Sequence, residues 1–136
     1  MRVDDKGRLA IPASFRKQLP EGSFVSVGQD QVLAIYPPDL WQALGDELRS
    51  PLPGPDHRAL SRTLYPLSDP FEPDGQGRIS LLPEQRRLAE IETPSTVVVI
   101  GAGSRVEIWP EARWDSYSAD ARGRFTKFAD RVISGH

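Results

Sequence analysis

The sequence predicts a β-rich α+β fold in which two half-size copies of one unit share a single core. Three observations predict it. Residues 4–8 (DDKGR) return as residues 74–78 (DGQGR), so a D-x-x-G-R turn occurs twice, 70 residues apart. The strand, aromatic and proline positions that follow each turn occur in the same order. A segment of about 45 residues rarely buries enough apolar surface to fold alone, so we expect the two copies to interlock.

In each copy the turn leads into a short apolar stretch, residues 9–11 and 79–81, which we expect to form a strand. Pro12 and Pro83 follow and suit the first turn of a short helix, because a missing N–H costs nothing at that position. Each copy therefore opens as turn, strand and short helix.

A predicted β-hairpin comes next in each copy. Its strands are 24–28 and 32–36 in the first copy, and 96–101 and 105–109 in the second. A polar Gln-Asp-Gln segment joins the first pair, and the glycines of residues 101–103 lie at the bend of the second. A dinucleotide-binding loop would need a third glycine and a following helix, so the hairpin turn is the favoured interpretation.

Two longer helices complete the expected fold. Pro38–Leu48 places its leucines on one face, and the proline-rich residues 50–55 end that helix and form a linker. Residues 119–133 have apolar side chains at helical spacing among basic ones, which predicts an amphipathic helix packed on a neighbouring subunit or on its own body. The expected boundaries are 1–48 for the first repeat, 49–71 for a linker with a short helix, 72–116 for the second repeat and 117–136 for the C-terminal helix.

Composition sets limits on the class of protein. With 38% hydrophobic residues among 136, the chain can form a core, and no apolar run approaches the roughly 18 residues of a membrane span. The absence of cysteine excludes disulfides and thiolate metal sites, and it suits a reducing cytosol.

The net charge of −2 gives no overall signal for nucleic-acid binding, but the charge is polarised along the chain. Residues 2–17 contain five basic and two acidic side chains, whereas residues 39–56 contain four acidic and one basic. Because the charge of the contact surface matters more than the average charge of the chain, this composition is compatible with DNA binding.

The repeated turn carries the chemistry of interest. Asp4 and Asp74 can accept backbone N–H bonds within the turn and pair with Arg8 and Arg78, which fixes the direction of each guanidinium. A guanidinium held in this way suits bidentate contact with a guanine edge or a phosphate. Lys6 adds a point charge that the second copy lacks, so the second turn should be the weaker electrostatic partner. The alternative is a solvated ion pair worth about 0–1 kcal/mol, or a turn shared only for folding.

Other groups give weaker signals. Arg16, Lys17, Arg86 and Arg87 lie on the short helices, where they either cap the helix or contact phosphate. The three tryptophans occupy equivalent places after strand ends, or close to them, which favours core or interface packing over stacking on bases: they are Trp41, Trp109 and Trp114.

His57 lies near Asp56 and Ser61, but helical spacing in a polar segment favours a surface helix start with Asp56 as its N-cap over a catalytic triad. Neither His57 nor His136 has metal-ligand spacing. No paired carboxylates, nucleophile–base set or phosphate loop is evident, so an enzyme is the weakest hypothesis.

The chain resembles the MraZ family, a bacterial relative of the AbrB-type swapped-hairpin DNA-binding proteins, over nearly its whole length. The matching segments are residues 4–13, 15–16, 74–79, 99–101 and 107–109. The resemblance implies a double-split β-barrel built from two AbrB-like half repeats, with short helices and a C-terminal helix. It also implies a non-enzymatic, sequence-specific transcriptional regulator of the division and cell-wall gene cluster. Such a regulator would be cytoplasmic and nucleoid-associated, without cofactor, metal or membrane contact.

Members of the family assemble into rings and bind tandem promoter repeats on double-stranded DNA. Carried over to this chain, the resemblance makes Arg8 and Arg78 the DNA-facing residues and Lys6 a secondary one. It gives the positioning of the turns to four residues: Asp4, Gly7, Asp74 and Gly77.

This chain departs from the family pattern in two places. The family usually has a further strand before the first turn, where this chain has only Met1 to Val3, so either the chain starts further upstream or this member lacks that strand. Leu82 stands where the first copy has Pro12, and Pro83 follows one residue later.

The rival hypothesis is a protein-interaction module resembling an antitoxin, in which the same basic turns bind an acidic partner. Such proteins usually carry a long disordered tail, and the amphipathic residues 119–133 fit that description poorly.

Overall fold

The computed structural model describes residues 1–49 and 54–134, so residues 50–53 of the expected linker, and His136, lie outside the described part. The strands are β1 Arg2–Val3, β2 Arg8–Ala10, β3 Phe24–Val27, β4 Leu33–Tyr36, β5 Asp69–Pro70, β6 Arg78–Ser80, β7 Ser95–Ala102 and β8 Arg105–Pro110. The α-helices are α1 Ala13–Arg16, α2 Pro38–Leu48, α3 Pro55–Leu64, α4 Pro83–Ala89 and α5 Glu111–Ile133, and a 3₁₀ turn covers Gln29–Gln31.

All eight strands belong to one curled antiparallel sheet in the order β5-β3-β4-β8-β7-β1-β2-β6. The short helices pack around it and α5 extends from β8. The predicted fold class, β-rich α+β with two repeated halves, short helices and a C-terminal helix, is therefore confirmed.

The strand registers express the duplication as a local two-fold symmetry. In the β2–β6 ladder Leu9 lies opposite Ile79, and Arg8 opposite Ser80 mirrors Ala10 opposite Arg78. The β4–β8 ladder repeats the pattern around a central pair formed by residues 34 and 107. Equivalent strands of the two copies thus pair with each other twice, as β2 with β6 at one edge of the sheet and as β4 with β8 near the middle of the strand order.

The two copies also exchange strands. β1 of the first copy pairs with β7 of the second, and β5, which precedes the second turn, pairs with β3 of the first. At the turns, the Ile11 N–H donates to the Gly77 carbonyl at 3.0 Å and the Leu81 N–H donates to the Gly7 carbonyl at 2.9 Å. Because each half supplies backbone partners to the other, neither half can form its part of the sheet alone.

The main core joins apolar side chains from both copies, including Leu9, Ile35, Ile79 and Ile108. One polar residue, Gln85 of α4, is fully buried at this junction. Its Nε2 donates to the carbonyls of Leu67 at 2.8 Å and Val25 at 3.3 Å, and its Oε1 accepts from the Leu82 N–H at 2.9 Å. These bonds satisfy the buried amide and connect the second copy to the first.

A second cluster, which includes Trp41, packs α2 and α3 against the sheet. Trp109 and Trp114 pack on each other where β8 leads into α5, so the predicted packing role of the tryptophans is confirmed. Trp41 stacks on Phe24 with ring centroids 4.8 Å apart. Trp109 is buried, and Trp114 contacts it edge to face at 5.3 Å. Aromatic packing therefore accounts for all three.

The structure corrects several local expectations. Helix α3 has Gly54 at its N-cap and Pro55 as its first residue, so the expected N-cap, Asp56, lies inside the helix. Proline suits the first helical position because no backbone N–H is needed there. Helix α5 starts at Glu111, eight residues before the segment in which apolar periodicity is clear. A strand does precede the first turn, because β1 pairs with both β2 and β7. Over residues 1–49 and 54–134, none of the helices is long and apolar enough to cross a bilayer.

Candidate nucleic-acid interface

The first turn is held by the carboxylate of Asp4. Its Oδ1 accepts backbone N–H bonds from Lys6 at 2.9 Å and Arg8 at 2.8 Å, while its Oδ2 accepts from the Arg8 Nε at 2.7 Å. The Gly7 N–H donates to the Asp4 carbonyl at 3.1 Å, which closes the turn. One side chain therefore fixes both the backbone and the arginine.

The second turn repeats this arrangement at every bond. Asp74 Oδ1 accepts from the backbone N–H of Gln76 at 2.8 Å and of Arg78 at 3.0 Å, and Oδ2 accepts from the Arg78 Nε at 3.1 Å. The Gly77 N–H donates to the Asp74 carbonyl at 2.9 Å. The pairing of aspartate and arginine expected from the sequence is present in both copies.

These bonds keep the carboxylates charged. The backbone N–H of Arg8 is the main cause that lowers the pKa of Asp4, and the backbone N–H of Arg78 is the main cause that lowers the pKa of Asp74. In each arginine the Nε is used by the aspartate, and no described residue accepts a hydrogen bond from the two Nη atoms. Each turn thus offers a charged, oriented pair of N–H₂ groups to solvent.

The two arginines lie on the same face of the β2–β6 ribbon. Leu9 and Ile79 point into the core, whereas Arg8 and Arg78 alternate to the opposite, half-exposed side. Their register makes them diagonal neighbours, whose Cα atoms are roughly 7–8 Å apart in an antiparallel pair. One subunit therefore presents both guanidinium groups together.

Glycine is required at both turns for two reasons. Gly7 and Gly77 have φ values of +78° and +75°, which side chains disfavour. A Cβ at Gly7 would lie 2.9 Å from the Nε of Arg86, and a Cβ at Gly77 would lie 2.9 Å from the Cζ of Arg16. The arginines of the short helices thus lie directly on these glycines.

This contact crosses between the copies. Arg16 belongs to the first copy but covers the second turn, and Arg86 of the second copy covers the first turn. Each is oriented by its own copy, since the Arg16 Nε donates to the Ile11 carbonyl at 3.0 Å and the Arg86 Nε donates to the Leu81 carbonyl at 3.3 Å. Every turn therefore combines arginines from both copies.

The remaining predicted residues differ in their surroundings. Lys6 and Lys17 are exposed, Lys6 within the first turn and Lys17 at the end of α1. Arg87 bonds through Nη1 to the Glu84 carboxylate at 2.6 Å, in a pair exposed to solvent. The charge of Arg87 is therefore partly neutralised. The guanidinium of its neighbour Arg86 instead lies beside the first turn.

Arg113 is a residue that the sequence reasoning missed. From the first turn of α5 it donates to the backbone carbonyls of Gln31 at 3.0 Å and Ala89 at 3.2 Å, and also to that of Asp30. Asp30 and Gln31 both have positive φ, so Arg113 connects α5 to an unusual hairpin turn. No periodic or motif signal in the sequence marks it.

Within the described ranges, no group of three or more His, Cys, Asp or Glu side chains is placed to hold a metal ion. The surface beside the second turn is open and shallow, and the charged side chains that line it include Arg16, Glu72 and Asp74. The arrangement can present cations to an extended anionic or hydrogen-bonding surface.

Comparison with known proteins identifies close relatives. The family model described as "MraZ protein, putative antitoxin-like" matches residues 1–63 and 69–134. The protein named transcriptional regulator MraZ in Salinispora tropica is 37% identical over 135 residues, covering 98% of this chain and 94% of that protein. The one in Natranaerobius thermophilus is 37% identical over 132 residues, covering 96% and 91%. The one in Kineococcus radiotolerans is 38% identical over 135 residues, covering 98% and 93%.

Proposed function

This chain belongs to the MraZ family, and on that premise we propose that it is a non-enzymatic, sequence-specific DNA-binding transcriptional regulator. The names of the relatives support this assignment. The observation that carries it is the pair of carboxylate-held guanidinium groups of Arg8 and Arg78 on one face of one ribbon.

Each arginine would read DNA through its two free Nη groups. Asp4 and Asp74 hold the Nε atoms, so the outward edge of the guanidinium is the part that reaches a partner. That edge matches the O6 and N7 acceptors of guanine in the major groove, or two phosphate oxygens. The aspartates act as positioning residues, because they touch the arginine and not the DNA.

Neighbouring cations would bind the phosphate backbone. Arg86 and Lys6 flank the first turn, and Arg16 flanks the second. Phosphate contacts set register and affinity without reading sequence. Because Gln76 replaces lysine in the second turn, that turn would contribute less to the electrostatic part of binding. Lys17 and Arg87 are the outer candidates for phosphate contact.

The regulator would act as a ring-shaped homo-oligomer on tandem repeats in the promoter of the division and cell-wall gene cluster, in the cytoplasm and associated with the nucleoid. One subunit offers two arginines, and such a small set gives limited affinity. Several subunits bound to successive repeats raise the total affinity through effective concentration.

The test is a footprint and a binding titration on the DNA upstream of the protein's own gene, at two salt concentrations. The Arg8→Ala variant should lose repeat binding while it keeps the same elution volume on a sizing column. The Arg49→Ala variant is the matched control, since it removes an exposed arginine at the end of α2 that is already paired with Asp46. Unchanged repeat binding by an Arg8→Ala, Arg78→Ala double variant would overturn the proposal.

The second candidate is an antitoxin-like module that uses the same turns to bind an acidic protein, and the description of the matching family favours it. The two functions differ in their response to salt. The logarithm of the DNA-binding constant should fall steeply and linearly with log[salt], because each neutralised phosphate releases counterions. The protein-binding function would be favoured if the affinity for the upstream DNA did not exceed the affinity for random DNA at either salt concentration.

A further inference from the structure

Helix α5 carries one continuous apolar stripe along its length. Residues spaced by three or four positions share a face of a helix. In α5 that face is formed by Trp114, Tyr117, Ala121, Phe125, Phe128 and Val132. A stripe of this kind requires an apolar surface opposite it along its whole length.

Only the first part of the stripe has such a surface within its own subunit. Trp114 and Tyr117 contact the buried Trp109, with ring centroids 5.3 Å and 4.8 Å apart. Arg113 anchors the same turn of the helix to backbone carbonyls of the body. Helix α5 is therefore attached rigidly at its beginning.

The second part of the stripe is exposed. Phe125 is 66% exposed, Phe128 61% and Val132 43%. Residues 119–133 contain four basic and two acidic side chains. Lys127 and Arg131 lie beside the phenylalanines and line the same shallow surface. This half of α5 is thus both apolar and basic.

The subunit cannot cover this half by itself. At a rise of 1.5 Å per residue, Phe128 lies roughly 21 Å along the helix axis from Trp114. Folding back onto the body would require a break in a helix that runs unbroken from Glu111 to Ile133. The surface opposite Phe125 and Phe128 must come from another molecule.

A groove of complementary character lies between α3, α2 and the end of β3. Its lining is largely apolar and includes Val27, Leu44 and Leu60, of which Leu60 is 49% exposed. Asp56 lines the same groove, and no lysine or arginine of the described segments does. On the adjoining helix α2, the Glu47 side chain is 76% exposed, and its carboxylate lies 3.7 Å from the Nε2 of His57.

We propose that the exposed half of α5 binds this groove on a second copy of the chain, with Phe125 and Phe128 on Leu60 and Leu44, and with Lys127 and Arg131 facing the carboxylates of the groove. Charge selects this occupant over a second α5. Two α5 helices packed stripe to stripe would bring their excess of basic residues together, whereas the groove supplies acidic groups.

The contact joins two different surfaces, so after one contact one subunit still has its groove free and the other still has its α5 free for further copies. Head-to-tail contacts of this kind generate closed rings when their rotation closes. The inference thus supplies an interface for the ring proposed above, and it rests on that proposed function only for the closure of these contacts into a ring.

Engineered disulfides test the contact directly. The chain has no cysteine, so in a Phe128→Cys, Leu60→Cys variant every disulfide joins the two introduced positions or two copies of one of them, and the two single-cysteine variants separate these cases. On oxidation this variant should give a ladder of covalent multimers on a non-reducing gel. A Thr126→Cys, Leu60→Cys variant is the matched control, because Thr126 lies on the opposite side of α5 and should give no ladder.

The other outcomes overturn the proposal. A covalent dimer formed by the Phe128→Cys single variant would indicate that two α5 helices pair, and the absence of any ladder in the double variant would exclude the groove. Charge provides a second measurement. Lys127→Glu with Arg131→Glu should shift the oligomer to monomer in light scattering, and adding Glu47→Lys with Asp56→Lys should restore it. Failure of that rescue also counts against the contact.

The DNA-binding proposal can fail independently. In the two-cysteine background, Arg8→Ala and Arg78→Ala should abolish DNA binding and leave the ladder intact. Retained DNA binding with an intact ladder would therefore overturn the DNA-binding proposal alone, whereas lost DNA binding without any ladder, in this variant and in its two-cysteine parent, would overturn the groove contact alone.

Discussion

Gly7→Ala should destabilise the protein through two separable effects. The first is backbone strain, since an L-residue at the φ of +78° costs about 1–2 kcal/mol. The second is displacement of Arg86, whose Nε lies 2.9 Å from the new Cβ. Losing the bond from that Nε to the Leu81 carbonyl costs about 0.5–1.5 kcal/mol. Alanine offsets about 0.4–1 kcal/mol by restricting the unfolded chain.

The net free energy of unfolding should therefore fall by about 1–2.5 kcal/mol, a sum of the terms above. For a chain of this size that lowers Tm by roughly 3–8 °C. Two other glycines separate the terms. Gly103 has a φ of +70° but no atom within 4 Å of the position that a Cβ would occupy, so Gly103→Ala introduces backbone strain alone. Gly123 lies within α5 with neither constraint, so Gly123→Ala should stabilise by about 0.5–1 kcal/mol.

Urea unfolding of these three variants, and of Gly7→Ala combined with Arg86→Ala, measures the second effect as a double-mutant cycle. The cost of Gly7→Ala should fall to that of Gly103→Ala once Arg86 is removed. If Gly7→Ala costs the same with and without Arg86, the arginine does not lie on the glycine as described, and the reasoning for the cross-copy contact is refuted.

Three further outcomes are expected. Arg86→Ala should weaken DNA binding and reduce the slope of log K against log[salt] by about one, whereas Arg49→Ala, which removes an exposed arginine paired with Asp46 on α2, should change neither in the same titration. Gln85→Leu should cost about 2–4 kcal/mol in urea unfolding, because Val25, Leu67 and Leu82 lose the partner of a backbone group; a loss below 1 kcal/mol would contradict that role. Asp4 and Asp74 have lowered pKa values in the fold, so their stabilisation is present above the unfolded pKa of about 3.9 and disappears as the pH falls through the lowered values. A double Asp→Asn variant should therefore be less stable than the parent at pH 7 and lose less stability on acidification; equal pH profiles would contradict the assignment.

The sequence by itself determined the features whose physics is local. The bonds that Asp4 and Asp74 make lie within five residues of chain, so the D-x-x-G-R pattern predicts the turn and the direction of its arginine. The bounds of α2 also follow from local signals, because Pro37 and Pro38 start the helix and leucine periodicity continues to its end.

Local signals were less reliable at helix starts. Asp56 is a good N-cap in isolation, but the helix begins two residues earlier than that cap implies, because Pro55 already has the required φ. The sequence places the start of the last helix at residue 117, too late, because the first turns of α5 hold only two members of its apolar stripe, Trp114 and Tyr117, and are fixed by Arg113, which binds carbonyls of distant segments. Only packing against those segments decides that these residues are helical.

Tertiary structure alone decided how the two halves combine. Repetition predicts that two turns exist, but the register of β2 on β6 puts Arg8 and Arg78 on one face, and a one-residue slip would have turned one arginine into the core. The crossing of Arg16 and Arg86 to the opposite turn, and the burial of Gln85, depend on contacts between residues about 60 to 80 positions apart. Such contacts arise only when the strands exchange, because neither half alone contains the glycine, carbonyl or sheet edge that its own side chains meet.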